Sequence, residues 1–148
     1  MNQPLSQNDA LEHPHPDSIV YLVQEPTVPK RATSRVIDTT PLLWWGKVRI
    51  LMERTQVASY RPAQAFIQIN ERLKNFDPEK DYIAVAGGDS LAVIMVGAIL
   101  AQLGHSHFRY LRFERSRLPD GTRDPSSGAY TPIRVPITQA SAVLSAAV

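Results

Sequence analysis

Residues 81–104 read D-Y-I-A-V-A-G-G-D-S-L-A-V-I-M-V-G-A-I-L-A-Q-L-G, and the fold follows from how this stretch divides. Residues 82–86 are a short, nearly continuous apolar run, the pattern of an interior strand covered on both faces. Gly87-Gly88-Asp89-Ser90 makes a tight turn, with Asp89 or Ser90 placed to cap a helix. Residues 91–103 then run apolar on almost every side, with Gln102 the main polar residue, so this helix needs cover on more than its sheet-facing stripe. Gly97 in its middle costs about 1 kcal/mol relative to alanine. That predicts a close backbone contact at Gly97, with a strand or with another copy of the helix. A membrane-spanning reading of residues 83–101 fails on length. Gly87, Gly88 and Asp89 break the window, and residues 91–101, at about 1.5 Å each, cover only about half of a bilayer's hydrocarbon.

Outward from this unit the chain supplies the rest of an α/β domain. Upstream, residues 18–25 (S-I-V-Y-L-V-Q-E) are β-branched and aromatic and stop at Pro26, which predicts a first strand. The loop that follows carries Pro29 and a basic cluster, Lys30, Arg31 and Arg35, the usual composition of a solvated loop. Thr40 as cap, Pro41 at the first helical position and Gly46 as stop enclose a one-turn helix. In residues 47–52, Val48 and Ile50 share a face, giving a second strand. Residues 62–76 bring Phe66, Ile69, Leu73 and Phe76 to one helical face opposite Gln68, Glu71, Arg72 and Lys74, with Pro62 in the first turn and Asp77-Pro78 as the close.

Downstream, residues 105–117 alternate as a strand, with Arg109, Leu111, Phe113 and Arg115 on one face and Phe108, Tyr110, Arg112 and Glu114 on the other. A turn-rich loop follows from Leu118. Residues 129–138 form a last strand with Ile133, Val135 and Ile137 on one face, and its two prolines confine it to a sheet edge. The order β-β-α-β-α-β-β predicts an α/β fold. Its mixed sheet has about five strands, parallel in the middle through right-handed crossovers, with two main helices and a long-looped antiparallel hairpin at the C-terminal end. Residues 18–138 are expected to form one domain, residues 1–17 a flexible polar extension and residues 139–148 a C-terminal tail.

Composition sets outer bounds. At 148 residues the chain can bury a core without staples, and it has no cysteine, which removes disulfides, thiolate metal sites and cysteine nucleophiles. The formal charge of +2 does not by itself call for a nucleic-acid partner. The N-terminal residues lack the basic and apolar segments of a signal peptide, so a cytoplasmic location is expected.

Four sites are candidates for function. Gly87, Gly88, Asp89 and Ser90 stand between a strand and a helix N-terminus, where free N–H groups and a positive dipole end suit a phosphate or nucleotide. The turn lacks the G-x-G-x-x-G and Walker A patterns, however, and Asp89 itself repels an anion. The competing reading is a capped turn that permits close packing. Arg109, Arg112, Arg115 and Arg117, interleaved with Phe108, Tyr110 and Phe113, combine phosphate-contacting cations with stacking surfaces suited to nucleic acid, although a half-exposed strand has the same composition and Glu114 interrupts it. Trp44 and Trp45 cannot both face one core, so one of them is a candidate anchor for a protein partner. His13, His15, His105 and His107 form no catalytic or metal constellation, and no catalytic residue, metal or cofactor is expected.

One resemblance spans most of the chain. Val23-Gln24-Glu25-Pro26 matches V-x-E-P, and Thr40-Pro41 with Trp45-Gly46 matches T-P-x-x-x-[FWY]-G. Asp81-Tyr82-Ile83 precedes Gly88-Asp89, and Tyr130-Thr131-Pro132-Ile133 matches an aromatic-x-P-I strand. Over residues 21–137 this sequence of motifs resembles a family of small α/β proteins of tailed bacteriophages. Ser90 stands where its members often carry proline, and the loop after Arg117 is longer. The resemblance implies a viral origin, which would make the expected cytoplasm the host's, and an α/β fold, and it implies no activity or catalytic residue. The combined expectation is a non-enzymatic phage interaction or assembly protein, either an accessory factor or a virion-associated component. It would self-associate or bind a viral or host protein. Nucleic-acid binding and phosphate binding are the alternatives.

Overall fold

A computed structural model of the chain describes residues 14–26 and 39–137. The expected termini, residues 1–13 and 138–148, and the basic loop with Lys30, Arg31 and Arg35 lie outside the described residues. β1 (Ile19–Gln24) is followed by a 3-10 turn (Thr40–Trp44) and β2 (Lys47–Met52). Then come α1 (Pro62–Leu73), β3 (Tyr82–Ala84), α2 (Ser90–Gln102), β4 (His107–Arg117) and β5 (Arg123–Pro136). The five strands form one sheet in the order β2-β1-β3-β4-β5. The pairs β1/β2, β1/β3 and β3/β4 are parallel, and β4/β5 is antiparallel.

The two faces are sorted by the period-two alternation of the strands. Tyr21 and Val23 of β1 and Ile83 of β3 face a core built with Ile69 and Leu73 of α1 and Ile99 and Leu100 of α2. Val20 and Leu22, with Tyr82, Ala84 and Leu111, face the other way, where Leu42 and Trp45 from the 3-10 turn cover them. This division follows from handedness. The chain steps one way from β1 to β2 and back the other way from β2 to β3 and β4, so right-handed connections lie on opposite faces. Full burial of an aliphatic side chain such as Ile69 or Ile99, both 0% exposed, stabilises by about 1.5–3 kcal/mol.

Four expectations need correction. Thr40 is not the cap of the one-turn helix but its first residue, with Thr39 at the cap position and no side-chain cap bond. The hairpin is not long-looped: β5 begins at Arg123 rather than near residue 129, because the antiparallel ladder runs on from Arg115↔Gly128 through a register shift to Arg117↔Arg123. That leaves a turn at residues 118–122, where Leu118 N–H donates to the Thr122 carbonyl at 2.7 Å and Gly121 N–H to Leu118 at 2.9 Å. Of the two contacts expected at Gly97, the one with a strand is not made, since a Cβ built there meets nothing of this chain within 4 Å. Finally, α1 ends at Leu73, and Phe76 is buried from the turn beyond it. Pro132 and Pro136 lie on the edge strand β5, where a missing N–H breaks no interior ladder.

Candidate functional site

α2 has no charged residue, and this determines its surroundings. Ala92, Met95, Val96, Ile99 and Leu100 are buried against the sheet and α1. The opposite side is not: Ile94 is 67% exposed, and Ala98 and Ala101 are also exposed. These three lie at i, i+4 and i+7, one line along the helix. A solvated helix face ordinarily carries charge, and this one carries none. Toward β4 and β5 the helix overhangs an open groove of about 330 Å³. Its floor is Ile83, Val85, Phe108 and Tyr110, its far edge Val135, and its wall Val96 and Gly97. The space around Gly97 is this groove.

The glycine turn sits at the carboxyl ends of β1 and β3, where the strand order reverses and open α/β sheets place ligands. Here protein side chains fill the position. Gln24, 5% exposed, accepts from Asp89 N–H at 2.7 Å through its Oε1, and its Nε2 donates to the Gln56 carbonyl at 2.6 Å and the Glu53 carbonyl at 3.2 Å. Asp89 caps α2 by accepting from Leu91 N–H at 2.9 Å through Oδ1, while its Oδ2 accepts from Ala58 N–H at 2.9 Å. Gly88 has φ +98 and lies against Gln24: a Cβ there would come within 2.6 Å of Oε1, so both conformation and space require glycine. The turn thus ties α2 to the loop after β2, and the carboxylate already occupies the positive end of the helix. Ser90, the first residue of α2, is exposed. Beside the turn, Arg54 holds the Glu25 carboxyl below its ordinary range through a hydrogen bond. The Glu53 carboxyl is lowered too, first by its own backbone N–H and then by Arg72 at 3.0 Å.

Among the described side chains, Arg109 and Arg112 fall on opposite faces of β4. Arg109 lies 4.2 Å over the Tyr82 ring and donates to Tyr82 Oη at 3.2 Å and to the Glu79 carbonyl at 3.0 Å, which makes it part of the packing. Arg112 pairs with Glu114 at 3.0 Å, and Arg117 donates to the Gly121 carbonyl at 2.9 Å. The side chain of Arg115 lies outside the described residues. Tyr110 is half-buried in the groove floor, on the face opposite Arg109.

The tryptophan pair divides as its adjacency requires. Trp45 is 9% exposed and packs edge-on to Tyr82 at 5.4 Å between centroids, while Trp44, 62% exposed, and Leu43, 63% exposed, stand at the surface. His107 is buried with Nε2 3.2 Å from Glu79, and His105 meets Phe76 edge-on at 5.8 Å between centroids. Among the described residues no three histidines, carboxylates or cysteines gather into a metal-binding group, and no helix is long and apolar enough to cross a membrane.

Two features were not read from the sequence. The groove depends on β4 and β5 extending past the cover of the helices, and Gln24 depends on three segments meeting at the sheet end. The only sequence signal for the groove was the absence of charge from residues 91–101, and for Gln24 there was none. Among protein families, the one described as phage Pam3 gp32-like protein matches residues 18–118, from the residue before β1 to the turn after β4. The Tyr130-Thr131-Pro132-Ile133 piece lies beyond that match. No curated protein and no solved structure matches.

Proposed function

Because the chain belongs to the phage Pam3 gp32-like family, we propose that it is a phage interaction or assembly protein that self-associates through the outer line of α2. The observation that carries this reading is the charge-free exposed line Ile94, Ala98 and Ala101 on a helix already packed on its other side. Small residues at 98 and 101 let a second backbone approach closely around Ile94. A second copy offers the same uncharged surface, so a two-fold contact is self-complementary without any pairing of charges. A partner that recognised the face through ion pairs would find no counter-charge on this line. Nucleic acid is a weaker fit, since Arg109, Arg112 and Arg117 are each engaged within the chain. Phosphate at the glycine turn would have to displace the Asp89 carboxylate from its two N–H donors.

The test is light scattering across a concentration series. A mass that rises above that of a single chain supports the reading. A strict monomer at the highest concentration would rule it out.

A further inference from the structure

The outer edge of β2 is a separate feature from the outer line of α2. We propose that its first half docks an extended segment of a partner protein, paired as an added strand, in which acidic and apolar residues alternate. β2 is the last strand of the sheet on its side, and among the described residues nothing pairs with its outer edge. Lys47 N–H donates inward, to the Ser18 carbonyl at 3.1 Å. Backbone groups alternate in direction along a strand, so Val48 and Ile50 turn theirs outward. Arg72 covers one of these, donating to the Ile50 carbonyl at 3.2 Å. The Val48 N–H and carbonyl and the Ile50 N–H remain open among the described residues, and open groups of this kind are the template for one more strand.

The side chains of β2 define that strand. Lys47 and Arg49 lie on the face that carries the helices, where Arg49 stands 5.7 Å over the Tyr21 ring. Both are exposed, and neither forms an ion pair among the described residues. Val48 and Ile50, on the opposite face, are half-buried beside Leu42 and Trp45, and Leu43 and Trp44 of the same turn are exposed. A neighbouring strand is therefore matched when it sets carboxylates beside Lys47 and Arg49 and apolar side chains beside Val48 and Ile50. A second copy of β2 is not matched. A two-fold pairing centred on Val48 sets Lys47 against Arg49, one centred on Arg49 sets that residue against its own copy, and like charges directly opposite are destabilising. A pairing centred on Ile50 needs the carbonyl that Arg72 holds.

The test is fluorescence anisotropy with a labelled peptide, Glu-Val-Glu-Val-Glu-Val-Glu, beside two controls. One has lysine in place of glutamate, and the other is the acidic peptide N-methylated throughout, which keeps its charge but cannot donate to a strand. The acidic peptide is expected to bind about tenfold or more tighter than the basic one. It should exceed its N-methylated form by about the same factor, roughly tenfold. In a chain carrying Lys47→Glu and Arg49→Glu the order of the two charged peptides should reverse. Val48→Pro, which deletes an outward N–H at a sheet edge that tolerates proline, should weaken the acidic peptide. No saturable binding of the acidic peptide up to millimolar concentration would overturn the proposal. So would equal binding of its N-methylated form, which would mean ion contact without strand pairing. An order of peptides unchanged by the charge reversal would place the contact elsewhere and overturn it too. Binding is read per chain, so its outcome is independent of whether the protein self-associates through α2.

Discussion

α1 and α2 lie side by side on one face of the same sheet, yet they meet solvent in opposite ways. α1 buries Ala65, Ile69 and Leu73 and turns polar side chains outward. Two of these are tied to the end of β2: Gln68 donates to the Leu51 carbonyl at 2.8 Å, and Arg72 donates to the Ile50 and Leu51 carbonyls at 3.2 and 3.0 Å. α2 buries a comparable stripe but has nothing polar between Ser90 and Gln102. Ile67 of α1 and Ile94 of α2 are equally exposed, at 67% each. Ile67 has Gln64 and Glu71 as its neighbours at i−3 and i+4 along the helix, whereas Ile94 has Leu91 and Ala98 at the same spacings. Exposure alone therefore does not mark an interface; the company an exposed residue keeps does.

The comparison can be broken at several points. The largest effect is expected where the helices are alike. Ile69→Ala and Ile99→Ala each remove a side chain that is 0% exposed, and each should lower unfolding free energy by about 2–5 kcal/mol in a denaturant titration. A cost confined to one of the two would show that only that helix is integral to the core.

The N-termini should differ by less. Asp89→Ala removes the α2 cap and strands the Ala58 N–H, a loss of about 1–3 kcal/mol in the same assay. α1 has no side-chain cap at Arg61, so Arg61→Asp should stabilise, by about 0.5–1 kcal/mol. An Asp89→Ala protein as stable as the parent would mean that the turn holds nothing together.

The smallest effect lies in acid and belongs to the polar flank of α1. The Glu53 and Glu25 carboxyls are lowered in the folded state, so what they contribute is present above the ordinary glutamate value of 4.5 and is lost as pH falls through their lowered values. A melting-temperature profile should therefore fall in acid, and less steeply for Arg72→Gln, which frees Glu53. Identical slopes would mean that the Arg72 contact contributes nothing.

The sequence disclosed the parts of this molecule that depend on local pattern. The interior strand β3, the Asp89 cap, the division of labour between Trp44 and Trp45 and the two faces of β4 all follow from alternation, capping chemistry or sterics between neighbours. What it concealed depends on distant segments meeting. Residues 118–128 look like a loop because Pro119, Gly121 and Pro125 crowd them, but an edge strand tolerates proline, and pairing with β4 overrides the local signal. Gly97 looked like a point of close approach to a strand or to a second helix, and the sheet leaves open space there. Gln24 shows no feature in a strand of apolar neighbours, yet it joins the ends of β1, β2 and α2.

The central claim is that the outer line of α2 is an interface and the outer side of α1 is not. Its most direct test is the solution mass, by light scattering, of the parent chain beside Ile94→Asp and Ile67→Asp. Both substitutions are at exposed positions and should leave the fold intact. The parent and Ile67→Asp are expected to share a mass above that of one chain, and Ile94→Asp to fall to a monomer. A monomeric parent, or an Ile94→Asp protein that stays assembled, would contradict the account.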